Sequence, residues 1–115
     1  MDDSIFFKYP IEDAESDGVL IRISVINPEW EKGIFSHITS NLLSYGYEQN
    51  NEINIPNLLD LLNQSNQLVR KKSNNYKDYD RMFIGKIEFP DGEEKEIWIC
   101  ENEICKFTIM LPEDY

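Results

Sequence analysis

The chain has 115 residues, and its 22 Asp and Glu against 11 Lys and Arg give a formal charge of −11. Such a field repels nucleic acid and anionic membrane surfaces and speeds encounter with a basic protein, so direct binding to either surface is not expected. With 41% hydrophobic and 12% aromatic residues, a single domain over 1–115 can bury a core without disulfides or a structural metal.

No apolar run approaches the ~20 residues of a membrane span. The start, MDDSIFFKYP, carries acids where a secretory signal carries bases. A cytoplasmic location is the expectation.

In chain order, Ile5–Tyr9 stopped by Pro10 reads as an edge strand. Glu12 to Gly18 reads as an acidic loop ending in a turn glycine. Val19 to Ile26 alternates, with Val19, Ile21, Ile23 and Val25 on one face, and predicts the best strand of the first half. Asn27-Pro28-Glu29 breaks it. Residues 34–43 read as a strand, although Ile34, Ile38 and Leu42 also stack on one helix face. Tyr45 to Asn54 reads as an irregular connection.

One helix is predicted from Pro56 onward, with Asn54 positioned to cap it and Leu58, Leu61, Leu62, Leu68 and Val69 forming the packed stripe. Ser65 is grouped with Asn63, Gln64, Asn66 and Gln67 on a wet outer face. Arg70, Lys71 and Lys72 complement the helix dipole and, with Lys77 and Arg81, hold five of the eleven basic residues. Outside that stretch six bases face twenty acids.

After a polar loop over Ser73 to Asp80 come three strands: Met82 to Phe89, Glu94 to Cys100 across the turn Pro90-Asp91-Gly92, and Ile104 to Leu111. The last has an apolar face of Cys105, Phe107, Ile109 and Leu111. The fold expected is α+β: a mainly antiparallel sheet of about six strands, with a C-terminal three-strand meander and one helix packed on one face.

Few residues of the chain suggest catalytic chemistry. His37, the sole histidine, lies among Ser36, Thr39 and Ser40. It reads either as a half-buried packing residue or as a base with a hydroxyl partner. There is no phosphate loop, nucleophile elbow, paired-histidine helix or calcium-loop spacing. Cys100 and Cys105 read as reduced thiols without a second pair to make a metal site. No catalytic residue, cofactor or metal is expected.

The constellation that stands out is on the strand Glu94 to Cys100. If Ile97 and Ile99 face the core, Glu94, Glu96 and Trp98 share the outward face. Acids around an aromatic anchor suit docking of a basic protein; alternatively Lys86 or Lys106 neutralises the acids from neighbouring strands. Glu101 and Glu103, and the loop acids Glu12, Asp13, Glu15 and Asp17, extend the expected footprint.

A short acidic chain without a catalytic set, bearing Glu94, Glu96 and Trp98 on a meander, resembles the immunity proteins of bacterial toxin–immunity pairs, including those of contact-dependent growth inhibition. The resemblance implies a stoichiometric antitoxin. It would bind one cognate basic toxin, often a nuclease domain, as a monomer in a 1:1 complex, and block its active site or its access to nucleic acid. Small acidic secretion chaperones, and less closely a small enzyme, are the alternatives.

Overall fold

The computed structural model describes residues 11–72 and 82–115. The expected edge strand Ile5–Tyr9 and the polar loop Ser73 to Asp80, with Lys77 and Arg81, lie outside the described residues. The α+β expectation is met. Five strands form one sheet in the order β1-β2-β7-β6-β5, and two short strands form a separate hairpin. The strands are β1 (Leu20–Arg22), β2 (Phe35–Thr39), β3 (Glu48–Gln49), β4 (Glu52–Ile53), β5 (Met82–Glu88), β6 (Glu94–Glu101) and β7 (Phe107–Met110). Strands β5, β6 and β7 make the expected meander. β2 then inserts parallel to β7, with β1 antiparallel at the edge, so the sheet is mainly rather than wholly antiparallel.

Register explains the core. Ile21, Ile38, Ile109, Ile99 and Phe83 pair in one row across all five strands. A long helix, α4 (Ile55–Lys72), covers that face with Leu58, Leu61 and Leu68, and Leu62 and Val69 pack at its margin. Its start is as predicted: the Asn54 side chain accepts a hydrogen bond from Asn57 N at 3.0 Å. Leu68 lies directly over Gly85, where a Cβ would come within 2.6 Å of its methyl carbons. The glycine is what lets the helix approach β5.

Ser65 is a correction to the helical pattern. It sits on the packed face with Leu61 and Leu68 and is 0% exposed, because positions four before and three after it define the same stripe. Its hydroxyl has no hydrogen-bond partner among the described residues.

The first half departs further from expectation. Glu12 to Ser16 is helical, within α1 (Ile11–Ser16), whose Ile11 and Ala14 are buried. Gly18, at φ +78°, closes it: Val19 N donates to Ala14 O and Gly18 N to Glu15 O, the Schellman pattern. The strand expected over Val19 to Ile26 is only three residues long. Its pairing ends where Arg22 meets His37, and the chain turns into α2 (Ile23–Ile26). The predicted face holds at Ile21 and Ile23, which reach the core, but fails at its ends: Val19 is 39% and Val25 76% exposed, while Leu20 on the opposite face is buried with Ile11 and Ala14. Pairing partners, not alternation, set the strand's length.

Residues 34–43 divide between the two readings. β2 ends at Thr39, whose side chain accepts from Leu42 N and caps α3 (Ser40–Leu43). The connection Tyr45 to Asn54 holds the hairpin β3–β4, turned by Asn50 and Asn51 at φ 55° and 65°. Ile104 and Cys105 are not in a strand, since β7 begins at Phe107. Cys105 is exposed and Cys100 buried, and the two are not joined in a disulfide. Among the described residues no helix is long and apolar enough to cross a membrane.

Candidate interaction surface

β6 places Ile97 and Ile99 in the core and turns Glu94, Glu96 and Trp98 to the opposite face. Trp98 is half-buried and held in place. Its indole Nε1 donates to Glu96 Oε2 at 2.7 Å, and its ring lies 5.0 Å from that of Tyr115. Tyr115 follows a 3-10 turn, Pro112–Asp114, that Asp114 fastens to the end of β2 by accepting from Thr39 Oγ1 at 2.7 Å and to α3 by accepting from Asn41 Nδ2 at 3.0 Å.

The neighbouring strand adds one acid that the sequence reading missed. Glu88 stands opposite Glu94, while Lys86 stands opposite Glu96. Like charges directly across a strand pair repel, so the Glu88–Glu94 end of the hairpin is the more negative one. The signal was available: the Pro90-Asp91-Gly92 turn fixes the register, with Phe89 N donating to Glu93 O. Lys95 points to the other face, where it meets Asp91 at 3.3 Å and lies over the rings of Tyr45 and Phe89.

The other expected acids gather elsewhere. Glu101 lies seven residues from Glu94 along β6, about 23 Å at ~3.3 Å per residue. Glu103 follows in the β6–β7 turn and accepts a hydrogen bond from Ile11 N at 2.7 Å. That bond places it beside Glu12 and Asp13 of α1, and Asp17 follows the helix. The footprint is thus divided: Glu94 and Glu96 lie toward one end of β6, Glu101, Glu103 and the start of α1 lie at the other, and Asp17 lies at the far end of α1 near the Val19–Ser40 contact.

Glu15 belongs to neither, because its carboxylate turns inward. Oε2 lies 2.5 Å from His37 Nε2 and 2.9 Å from Arg22 Nε. His37 is 0% exposed. Burial, and secondarily the Arg22 charge, lower its pKa despite the Glu15 bond. Burial opposes ionisation of Glu15, but His37 and Arg22 together hold its carboxyl below the ordinary value. Both directions favour a neutral imidazole beside a carboxylate, the arrangement in which Nε2 donates to Glu15.

On the ring's other side, Ser36 Oγ lies 2.7 Å from Nδ1. Adjacent residues of a regular strand point to opposite faces, but the β2–β7 register slips between Phe35 and His37, making Ser36 the extra residue of a bulge. With Nε2 bearing the hydrogen, Nδ1 accepts from the Ser36 hydroxyl. Asn102 extends the chain: its Nδ2 donates to Ser36 Oγ at 2.8 Å and Thr108 Oγ1 at 3.0 Å. Its Oδ1 accepts from Ile104 N and Lys106 N, which fixes the turn before β7. The half-buried packing role read for His37 is thus a fully buried one, and it has the hydroxyl partner that the other reading required.

A third feature is an open cleft of about 410 Å³ between α4 and the 3-10 turn Pro28–Lys32. Ile23, Trp30, Phe35 and Leu62 give it an apolar floor, and Glu29, Asn63, Asn66 and Arg70 form its rim. No group of three or more His, Cys, Asp or Glu that could hold a metal ion occurs among the described residues. Comparison with protein families, with curated proteins and with solved structures finds no match to this chain.

Proposed function

We propose that the protein is an immunity protein that binds one cognate basic toxin, a nuclease domain in the leading case, and blocks its active site or its access to substrate. The observation that carries this reading is the outward face of the β5–β6 hairpin. There Glu88, Glu94 and Glu96 surround a Trp98 already locked against Glu96 and Tyr115. A pre-positioned aromatic loses little rotamer freedom on docking, and the acids supply steering and register toward a basic surface. The formal charge of −11 adds long-range attraction for the same class of partner.

The test is co-purification of the full chain with the product of the neighbouring gene, followed by titration of the pair. The reading expects a 1:1 complex whose association slows as salt rises and slows further in Glu94→Lys/Glu96→Lys. A neighbouring product without a basic toxin domain, or unchanged association in the double variant, overturns it.

The apolar cleft at Trp30 favours a second reading, a secretion chaperone that holds an apolar segment of an effector. That reading expects a dimer in solution and binding to an unfolded client. Sedimentation of the free protein as a monomer counts against it.

A further inference from the structure

The hydrogen-bonded chain from Glu15 through His37 to Ser36 ends on a pocket of about 140 Å³, whose polar wall is Arg22, Ser24, Glu31, Ser36 and Lys106 and whose apolar wall is Phe35 and Ile104. In a chain with twice as many acids as bases, two cations from separate elements meet there. Arg22 comes from β1 and Lys106 from the turn before β7. Arg22 uses Nε on Glu15, and its guanidinium carries four more N–H donors. The Lys106 ammonium donates to the backbone carbonyl of Glu31 and keeps two hydrogens.

We propose that this pocket binds a small tetrahedral oxyanion of the sulfate or phosphate type, held by Arg22, Lys106 and the hydroxyls of Ser24 and Ser36, and that filling it places a proton on His37. With Nε2 bearing the ring hydrogen, the Ser36 hydroxyl donates to His37 Nδ1 and accepts from Asn102, so it has only a lone pair left for the pocket. An anion needs the hydroxyl hydrogen. When the hydroxyl turns outward, Nδ1 loses its donor, and protonating the ring restores the bond in the reverse sense.

His37 then donates from Nδ1 to Ser36 Oγ and from Nε2 to Glu15. Ser36 Oγ accepts from His37 and from Asn102, and donates to the anion. Every donor and acceptor in the chain is used. One proton enters from solvent per anion bound, and no covalent bond changes.

The charges around the ring agree with this coupling. Among the described residues, Glu15 of α1 favours the imidazolium, and Arg22 of β1 opposes it. Lys106 on the far side of Ser36 also opposes it, while Asp114 of the C-terminal turn stands on Thr39 of the same strand. Glu31, whose carbonyl accepts from Lys106, adds an acid to the pocket wall that the two cations must outweigh; a bound dianion then offsets Arg22 and Lys106 and leaves Glu15 dominant at the ring. The site is distinct from Glu94 and Trp98 and stands whether or not that surface binds a toxin.

Sulfate is the probe, because it does not titrate in the range of interest. The full chain is titrated with sulfate at about pH 5.5 and about pH 7.5, either side of the ordinary imidazole value. Chloride holds ionic strength constant, and NMR follows the His37 ring and the Ser36 and Lys106 amides. The expected result is saturable binding, tighter at the lower pH by roughly tenfold per unit over the coupled range. The His37 ring should move to its protonated position as sulfate is added.

Arg22→Gln/Lys106→Gln abolishes the binding. Ser36→Ala retains binding through the two cations but loses its pH dependence. Absence of saturable binding in the wild type, binding that survives loss of both cations, or equal wild-type affinity at the two pH values overturns the proposal. If Ser36→Ala does not fold, as read by circular dichroism, the wild-type ring titration decides.

Discussion

The two faces of the sheet are sealed by different physics. One carries the row Ile21–Ile38–Ile109–Ile99–Phe83 under α4, closed by apolar contact in its interior, with the Gln64 amide bonded to the Glu88 backbone at the β5 edge. The other carries Arg22–His37–Thr108–Cys100–Met82 in the same register. Over its β1–β2–β7 half, hydrogen bonds from Glu15, Ser36 and Asn102 hold the turn before β7 and the short helix α1 in place. Over its β5–β6 half lies the acidic and aromatic surface, where Ile84 remains 40% exposed. Apolar burial gives stability without direction, whereas the polar row gives direction and depends on complete pairing.

The contrast is sharpest on β7, where Ile109 and Thr108 are neighbours on opposite faces. Ile109→Ala leaves a void in the middle of the apolar row and is expected to lower unfolding free energy by about 2–5 kcal/mol, read by urea denaturation. A loss below about 1 kcal/mol would mean that the row repacks and that register is not what defines the core.

On the polar face the corresponding change acts through pH. The folded state holds His37 neutral, with its pKa below the ordinary value, so the unfolded chain binds a proton that the native state resists. Stability should therefore fall as pH drops below the unfolded imidazole value of about 6.5. Glu15 has a lowered pKa, and its contribution, present above the ordinary carboxylate value, is lost only at lower pH, through the folded carboxyl pKa. His37→Asn is expected to flatten the fall between about pH 6.5 and about pH 5. It should also cost about 1–3 kcal/mol at neutral pH, because Glu15 and Ser36 lose partners. Urea midpoints at three pH values check both. An unchanged slope would remove His37 as its source.

The same contrast explains what could be read from the sequence. Apolar periodicity located α4, its Asn54 cap and the β5–β6 hairpin, because those elements are fixed by short-range spacing and turn chemistry. It failed over Val19 to Ile26, where the strand's length depends on how much of β2 is available to pair. It also missed α1, whose two buried residues are too few to show a period. The candidate surface was legible in part, since alternation on β6 turned Glu94, Glu96 and Trp98 outward. The pairing of Glu15 with His37 spans 22 residues and depends on a bulge at Ser36, and no local pattern encodes either.

Two smaller changes probe the apolar face at its margins. Gly85→Ala forces a methyl into the space of Leu68 and is expected to cost about 1–3 kcal/mol, with Leu68→Ala in the same chain recovering part of the loss. Ser65→Ala acts in the opposite direction. It removes a buried hydroxyl without a partner and places a better helix former in α4, so it should stabilise by about 1 kcal/mol. A loss on Ser65→Ala, measured by thermal unfolding, would show that the hydroxyl has a bound partner in solution.

The smallest effect bears most directly on function. Glu94 and Glu88 are paired across β5 and β6 with like charge, an arrangement that opposes folding. Glu94→Lys replaces repulsion by attraction and is expected to stabilise the free protein by ~0.2–1 kcal/mol. A surface kept for solubility alone gains from this change and loses nothing. A surface kept for a basic partner gains the same stability and loses association rate, because the residue that strains the hairpin is the one that steers the encounter. Measuring both quantities on one variant separates the cases: higher stability with slower association supports a binding role for the β5–β6 face, and higher stability with unchanged association removes Glu94 from it.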